Sequence, residues 1–256
     1  MLTAVALEFT NHCNLKCWFC PSQSPRLHKP RVKGFMSEAL LDKVLADLQR
    51  NYDCSRIVAA VSYGGESTLH PKFAEYIEKV ASAGFYVVHF YTNGILLNEA
   101  NCKVLADNDV RVYVSLHRHG LLEQVKQNTV ALKKQLKQVS ISILLEEWTR
   151  REASELTKFA QQNFMSITKC SGITENLHLI SRPANVNRRC MSMDYYLGVL
   201  WNGDCVPCCH MLSTDGFSLG NVMHRTISEV FNGGVYGKLR NHDWQDTPCE
   251  WCEIKS

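Results

Sequence analysis

The sequence has no apolar run approaching the roughly 18 residues that a membrane-spanning helix needs, and no internal repeat or low-complexity tract. It also lacks a strong charge of either sign. A formal net charge of +3 over 256 residues gives no argument for a nucleic-acid or anionic-membrane partner. The start, Met1-Leu2-Thr3-Ala4-Val5, lacks the basic residues and small-residue cleavage site of a secretion signal. What the chain has in quantity is cysteine, twelve in all. Without a secretion signal, that number points away from a disulfide scaffold and towards metal binding or thiol chemistry in a reducing compartment. A cytoplasmic protein is expected, either one large α/β domain or a domain with a small appendage.

Three cysteines stand together in Cys13-Asn14-Leu15-Lys16-Cys17-Trp18-Phe19-Cys20, a C-x3-C-x2-C run directly after a short apolar strand. Thiolates so close in sequence converge on one face of a metal centre when the backbone loops around it. A structural zinc or ferredoxin-type site closes its coordination with four protein ligands. A three-thiolate loop instead leaves one iron of a 4Fe-4S cluster open to a small ligand. The spacing also suits a zinc loop that borrows a distant ligand, or three buried thiols.

Around this loop the pattern alternates strand and helix. Strands are read at Ala4–Phe9, Arg56–Tyr63, Tyr86–Tyr91, Val110–Leu116, Val139–Leu145 and, briefly, Leu177–Ile180. Ser37 caps a helix whose Leu40, Leu41, Val44, Leu45 and Leu48 recur at helical spacing. Pro71 opens a second helix that Gly84 ends. Asn98 caps a third, and two more follow at about Leu121–Leu136 and Arg150–Asn163. Strands in series with helices between them imply a parallel sheet with helices outside it. Closed or partly closed, such a sheet carries its functional loops at the C-terminal strand ends. Gly64-Gly65-Glu66, Asn93 and Ser115 all sit at such ends. The glycine pair lets backbone approach a neighbour closely, and ordinary turns use the same residues.

From Ser181 the rhythm changes. Tyr195–Trp201 and Asp204–Pro207 read as a hairpin around Asn202-Gly203, and a short helix is expected at Thr226–Asn232. This tail is too small for a core of its own and needs a staple. Cys190, Cys208, Cys249 and Cys252 supply four thiols, the last two in a C-x2-C knuckle. They can close a zinc site or fill a second 4Fe-4S cluster, and spacing alone does not separate the metals. Cys54, Cys102 and Cys170 are expected to pack on or beside helices. Cys205 and Cys209 flank the tail set, as strand or buried residues or as thiols beside a metal. His117 and His119 read as polar loop residues with a cofactor or substrate contact as the alternative.

The cysteine loop followed by the glycine-glutamate turn resembles the radical S-adenosylmethionine (radical SAM) superfamily. The run Gly203-Asp204-Cys205-Val206-Pro207-Cys208, then Leu219-Gly220-Asn221-Val222, resembles the twitch form of its SPASM extension. The resemblance implies a partial (β/α)6 TIM-like barrel over residues 1–180 and a twitch extension over 181–256. It implies S-adenosylmethionine on the open iron held by Cys13, Cys17 and Cys20. Phe19 would lie near the adenine and Gly64, Gly65 and Glu66 at the methionine amino group, with Asn93 and Ser115 as further contacts. Cys190, Cys208, Cys249 and Cys252 would hold an auxiliary 4Fe-4S cluster. Within the superfamily the likeness is strongest to aminocyclitol (2-deoxy-scyllo-inosamine) dehydrogenases, through Cys17 to Pro21, Tyr63, Tyr91-Thr92-Asn93-Gly94 and the tail cysteines. This implies oxidation of a hydroxylated small molecule, a substrate-facing Arg182, and a reducing partner such as flavodoxin or ferredoxin. One departure stands out: Cys209-His210 replaces an aromatic and a carboxylate. A thiol there opens an alternative, an epimerase in which Cys209 or Cys205 returns a hydrogen atom. A peptide-modifying enzyme and a zinc-stapled α/β binding protein complete the alternatives.

Overall fold

Local capping sets where the helices begin. Ser37 accepts a hydrogen bond from Leu40 N and starts α1 (Glu38–Asn51), whose leucines and Val44 are buried. The structure, a computed structural model, describes residues 1–20, 22, 31–117, 119–170, 190, 192–209, 211, 217–241, 243, 245, 247 and 249. Further elements in chain order are β1 (Ala4–Leu7), β2 (Val58–Ala60), α2 (Phe73–Ser82), β3 (Val87–Thr92) and α3 (Glu99–Asp107), the last capped by Asn98. Then come β4 (Arg111–Leu116), α4 (Leu122–Gln135), β5 (Val139–Leu144) and α5 (Arg150–Gln162). A reciprocal Thr149–Glu152 capping box opens α5.

The strands, with β6 at Ser166–Cys170, β7 at Tyr196–Val199 and β8 at Cys205–Val206, lie in one sheet in the order β6-β5-β4-β3-β2-β1-β7-β8. The first six run in sequential order and are parallel. A parallel sheet wound in one direction puts its crossover helices on one side, because the crossovers share one hand. The strand pattern shows the result. In β4, Val112, Val114 and Leu116 are fully buried towards the helices, while Arg111, Tyr113 and Ser115 alternate with them and are only half-buried. In β5, Val139, Ile141 and Ile143 are buried and Ser140 and Ser142 are not. Each buried Val, Leu or Ile contributes about 1.5–3 kcal/mol by leaving water. The opposite face is a polar inner wall rather than a second core. This is the α/β architecture expected, a partial barrel.

The sixth strand differs from expectation. It is β6 (Ser166–Cys170), earlier than the segment 177–180, which lies outside the described residues. Its residues are mostly exposed, so the pattern Ser-Ile-Thr-Lys-Cys lacks the apolar run that marks an interior strand. Cys170 is therefore exposed at a strand end rather than packed by a helix, while Cys54 and Cys102 are buried as expected.

The tail does not stand apart. After a one-turn helix, α6 (Ser192–Tyr195), β7 (Tyr196–Val199) pairs in parallel with β1, and β8 (Cys205–Val206) folds back on β7 through the Asn202-Gly203 turn. Gly203 takes a left-handed φ of 87°, as such a turn requires. A Thr226–Glu229 capping box opens α7 (Ile227–Phe231), and α8 (Gly234–Arg240) follows, a helix its two glycines hide from sequence reading. Leu197, Val199, Val206, Ile227, Phe231 and Tyr236 belong to the same core as Val5 and Leu7. A stretch expected to need its own staple shares the core of the barrel. Among the described residues no helix is long and apolar enough to cross a membrane.

Candidate active site

At the end of β1 the chain places a carboxylate, Glu8, with no solvent exposure. Its two oxygens take both arms of the Arg31 guanidinium at 2.8 and 2.7 Å. The same carboxylate accepts Gly64 N at 3.1 Å and Trp201 N at 3.2 Å. One buried ion pair thus joins the strand before the cysteine loop, the strap after it, the glycine turn and the tail. A bidentate, fully bonded pair of this kind meets the condition under which buried charge is tolerated. Sequence reading passed over Glu8; the available signal was a lone acid in the apolar strand Ala-Val-Ala-Leu-Glu-Phe.

The base of the cysteine loop is fastened to the same strap. Thr10 Oγ1 donates to the Gly34 carbonyl at 2.6 Å, Asn11 Nδ2 to Val32 O at 2.7 Å, and Lys33 Nζ to Asn11 O at 2.6 Å. Gly64 and Gly65 then dock on this base. A Cβ on Gly65 would stand 2.4 Å from the carbonyl oxygens of Thr10 and His12, and one on Gly64 would stand 2.3 Å from Glu8 Oε1. The pair is glycine because protein packs against it on these sides, a reason the sequence did not show.

Glu66 follows, 2% exposed. Its N–H donates to His12 O at 2.8 Å. Its carboxylate accepts from Thr68 Oγ1 at 2.8 Å, from Thr92 Oγ1 at 3.1 and 3.0 Å, and from Asn93 N at 2.9 Å. Burial raises the carboxyl pKa while the bonds from Asn93, Thr68 and Thr92 oppose that rise. The side chain therefore fixes the ends of β2 and β3 to each other. Asn93 in turn donates to Asn14 Oδ1 at 2.8 Å, carrying the end of β3 to the cysteine loop itself.

On the far side of the loop the Phe19 ring lies 5.1 Å from the His117 ring. His117 Nδ1 is 2.7 Å from Glu147 Oε2, a contact joining the ends of β4 and β5. Ser115, at the end of β4, shares a 3.1 Å hydrogen bond with Ser142. Phe19, Glu66, Asn93 and Ser115 thus lie around the C-terminal ends of the strands. His119 is less engaged: its Nδ1 accepts from Leu121 N at 3.1 Å.

Cys13, Cys17 and Cys20 face one another across the loop. Burial raises the Cys13 thiol, with smaller contributions from Glu66 and Cys20. Cys17 is pushed up to about 12, first by burial and then by Cys20, Cys13 and Glu147. Thiols that repel one another's negative charge are a donor set that a positive iron centre relieves. The thiolates of a cluster each hold a different iron, and three thiols from one loop suit that donor chemistry.

In the tail, Cys249 is buried in the core that includes Tyr236, and Cys190 and Cys208 pack against that core. Burial raises the Tyr236 hydroxyl well above its ordinary pKa. Cys252 and Arg182 lie outside the described residues, as does His210. The Tyr63 hydroxyl is 2.5 Å from the carbonyls of both Cys208 and Met211, which ties the loop around Cys208 to the strand end that carries Gly64. Cys209 is exposed and acts on the hydroxyl of Tyr91, a residue whose ring stacks on Tyr113 at 4.7 Å.

Residues 7–160 match the radical SAM superfamily. The chain belongs to that superfamily. Residues 190–253 match the SPASM iron-sulfur cluster-binding domain. A curated relative from Pyrococcus furiosus, a tungsten-containing aldehyde ferredoxin oxidoreductase cofactor-modifying protein, is 34% identical over 113 residues, 43% of this chain and 29% of that protein. A probable GTP 3′,8-cyclase of Saccharolobus islandicus is 28% identical over 120 residues, 45% of this chain and 35% of that protein. The matched stretches span about a third of those relatives. Among solved structures, BtrN in complex with AdoMet and 2-DOIA superposes with a TM-score of 0.64 at 16% identity, covering 94% of this chain and 86% of BtrN. Streptococcus suis SuiB bound to S-adenosylmethionine gives 0.73 at 13%, covering 94% and 68%. The protein anSMEcpe with bound AdoMet gives 0.71 at 17%, covering 93% and 79%. At such identities the likeness is one of fold, a radical SAM partial barrel with a SPASM-type extension. Membership brings S-adenosylmethionine and a 4Fe-4S cluster to this radical SAM enzyme, and the SPASM domain brings auxiliary iron-sulfur binding.

Proposed function

We propose that this radical SAM enzyme oxidises a hydroxylated small molecule of the sugar or aminocyclitol type, in a reducing, cytoplasmic setting. In this reading residues 1–180 form the catalytic barrel and 181–256 the auxiliary-cluster extension. Cys13, Cys17 and Cys20 hold the cofactor-binding cluster, and Cys190, Cys208, Cys249 and Cys252 hold the second. Together, cluster and S-adenosylmethionine supply a carbon radical able to remove a hydrogen atom from an unactivated C–H bond.

The observation that carries the substrate class is the inner face. Tyr113, Ser115, Ser140 and Ser142 present hydroxyls along adjacent strands, and the stacked Tyr91–Tyr113 pair walls the space beside them. Such a surface suits hydrogen bonding to a polyol more than the burial of an apolar group. The protein's part is to hold one C–H in place, through Glu66 and Asn93 at the floor of the mouth and Phe19 against His117 at its side. Tyr63 keeps the tail at the rim of that face, which suits an oxidation whose electron leaves towards the tail.

Epimerisation is the second reading, and the exposure of Cys209 beside Tyr91 favours it over a design without a donor thiol. Cys205 does not serve that reading: it has no solvent exposure, and its thiol is directed at the Gly203 carbonyl 3.8 Å away. The deciding experiment is an anaerobic reaction with hydroxylated candidates, reduced flavodoxin or ferredoxin supplying electrons. Oxidation gives a product lighter by two hydrogens. A product of unchanged mass carrying deuterium from labelled water, lost in Cys209→Ala, would replace oxidation with epimerisation.

A further inference from the structure

Three tyrosines converge on the tail cysteines, and two of them have acceptors. Tyr63 reaches the carbonyls of Cys208 and Met211, and the Tyr236 hydroxyl donates to the Tyr196 carbonyl. The third, Tyr196, has a buried hydroxyl with no hydrogen-bond partner among the described residues. A buried hydroxyl left unsatisfied costs about 1–3 kcal/mol, and native structures hold few of them. Phenylalanine would fill the same volume at no such cost.

The surroundings say what the missing acceptor is. Tyr196 opens β7 on the same face as Gly198, where a Cβ would stand 3.6 Å from the Tyr196 ring and 3.3 Å from the Tyr63 ring. The two rings therefore flank one bare backbone position, and the Tyr63 hydroxyl already touches the loop at Cys208. Tyr236 closes the other side, fully buried in the core that Cys249 joins and that Cys190 and Cys208 pack against. Val206 pairs with Gly198 across β7 and β8, so the chain running on to Cys208 passes the Tyr196 end of β7. The chemistry that the tail cysteines bring to this end of the strand is sulfur.

We infer that the Tyr196 hydroxyl donates a hydrogen bond to sulfur of the tail iron-sulfur centre and thereby raises its reduction potential. The inference rests on the reading that the tail cysteines hold such a centre. A donor facing sulfur stabilises the more negative, reduced state, and hydrogen bonds to sulfur are among the factors that set cluster potentials. For an enzyme that oxidises its substrate, a higher potential makes the tail a better electron acceptor.

The test compares holo Tyr196→Phe with wild type in an anaerobic redox titration followed by electron paramagnetic resonance. The tail signal is expected at unchanged iron content with its midpoint moved negative. At the wild-type midpoint the reduced-to-oxidised ratio should fall about tenfold, about 59 mV for one electron. The first-loop centre should keep its potential. In metal-free protein the substitution should leave thermal stability unchanged or raised, since no protein bond is lost. An unchanged tail midpoint, or a metal-free variant less stable than wild type, overturns the inference. A separate control distinguishes failure of the underlying reading: if Cys13, Cys17 and Cys20 are replaced by alanine and no iron remains, the tail holds no centre and the inference falls with it.

Discussion

The two cysteine sets are built in opposite ways. Cys13, Cys17 and Cys20 come from one loop, so bringing them together closes only short segments of chain. Their fine geometry is imposed from outside by Thr10, Asn11, Gly65 and Asn93, none of which carries a thiol. Cys190, Cys208 and Cys249 come from separate stretches and join one core only when β7, the hairpin and α8 have packed on the barrel. The first set is a local chelate held by a scaffold; the second is part of the scaffold. Loss of metal should therefore silence the first without unfolding it and loosen the fold at the second.

The sharpest break comes from replacing Cys13, Cys17 and Cys20 together with alanine. Formation of 5′-deoxyadenosine should vanish while about four of about eight irons per chain remain, and thermal melting should shift little. Retained cofactor cleavage in this variant would falsify the assignment of the first loop. The matching change in the tail, Cys208→Ala with Cys249→Ala, should instead lower the melting temperature of the holo protein.

Next in size is Glu8→Gln, which tests the tie between the two regions. It leaves the Arg31 charge buried without its counterion, and such a loss costs about 3–5 kcal/mol. Urea denaturation should show it; a change under about 1 kcal/mol would mean that the Glu8–Arg31 pair does not hold the regions together. Gly65→Ala is smaller, about 1–3 kcal/mol from overpacking. Because the new methyl meets the carbonyls at the base of the first loop, S-adenosylmethionine affinity should fall while the tail spectrum stays unchanged. Equal perturbation of both spectra would contradict the separation drawn here.

The smallest effect belongs to the surface, remote from both sets. Hydrogen bonds from Lys72 and Lys79 hold the exposed Glu38 carboxyl down at about 2, against 4.5 unperturbed. A depressed acid adds stability above its unfolded pKa and loses it as pH falls through the folded value. Glu38→Gln should thus narrow the gap to wild type between about pH 4.5 and 2, with little difference in metal content. A variant that changes cluster content at neutral pH would tie this helix surface to the site after all.

Much of this was legible because the local signals agree. Ser37, Asn98 and Thr226 cap where a side-chain oxygen precedes an apolar face, and the Asn202-Gly203 turn marks its hairpin. The cysteine loop could be read because its ligands are contiguous. What escaped reading is what depends on distant packing. Nothing local shows that Gly64 and Gly65 pack against Glu8 and the carbonyls of Thr10 and His12. Thr92 and Asn93 reach the Glu66 oxygens from a different strand end, which no local pattern announces. β6 escaped because an edge strand with exposed residues carries no apolar alternation.

The pairing of β7 with β1 has a consequence for how the chain is made. β1 is bounded by β2 on one side and by β7 on the other, so its second edge is filled by residues far downstream that leave the ribosome much later. Contacts so distant in sequence are slow to form, and until then an apolar strand edge stands open to other chains. The cysteine loop follows that strand directly, and the Trp201 N–H reaches Glu8 only when β7 arrives. Nascent chains therefore pass through a stage in which the first loop exists and its closing neighbour does not. In that interval an iron-sulfur carrier has its widest access to Cys13, Cys17 and Cys20, and chains truncated before β7 should be caught there, aggregating in the absence of such a carrier.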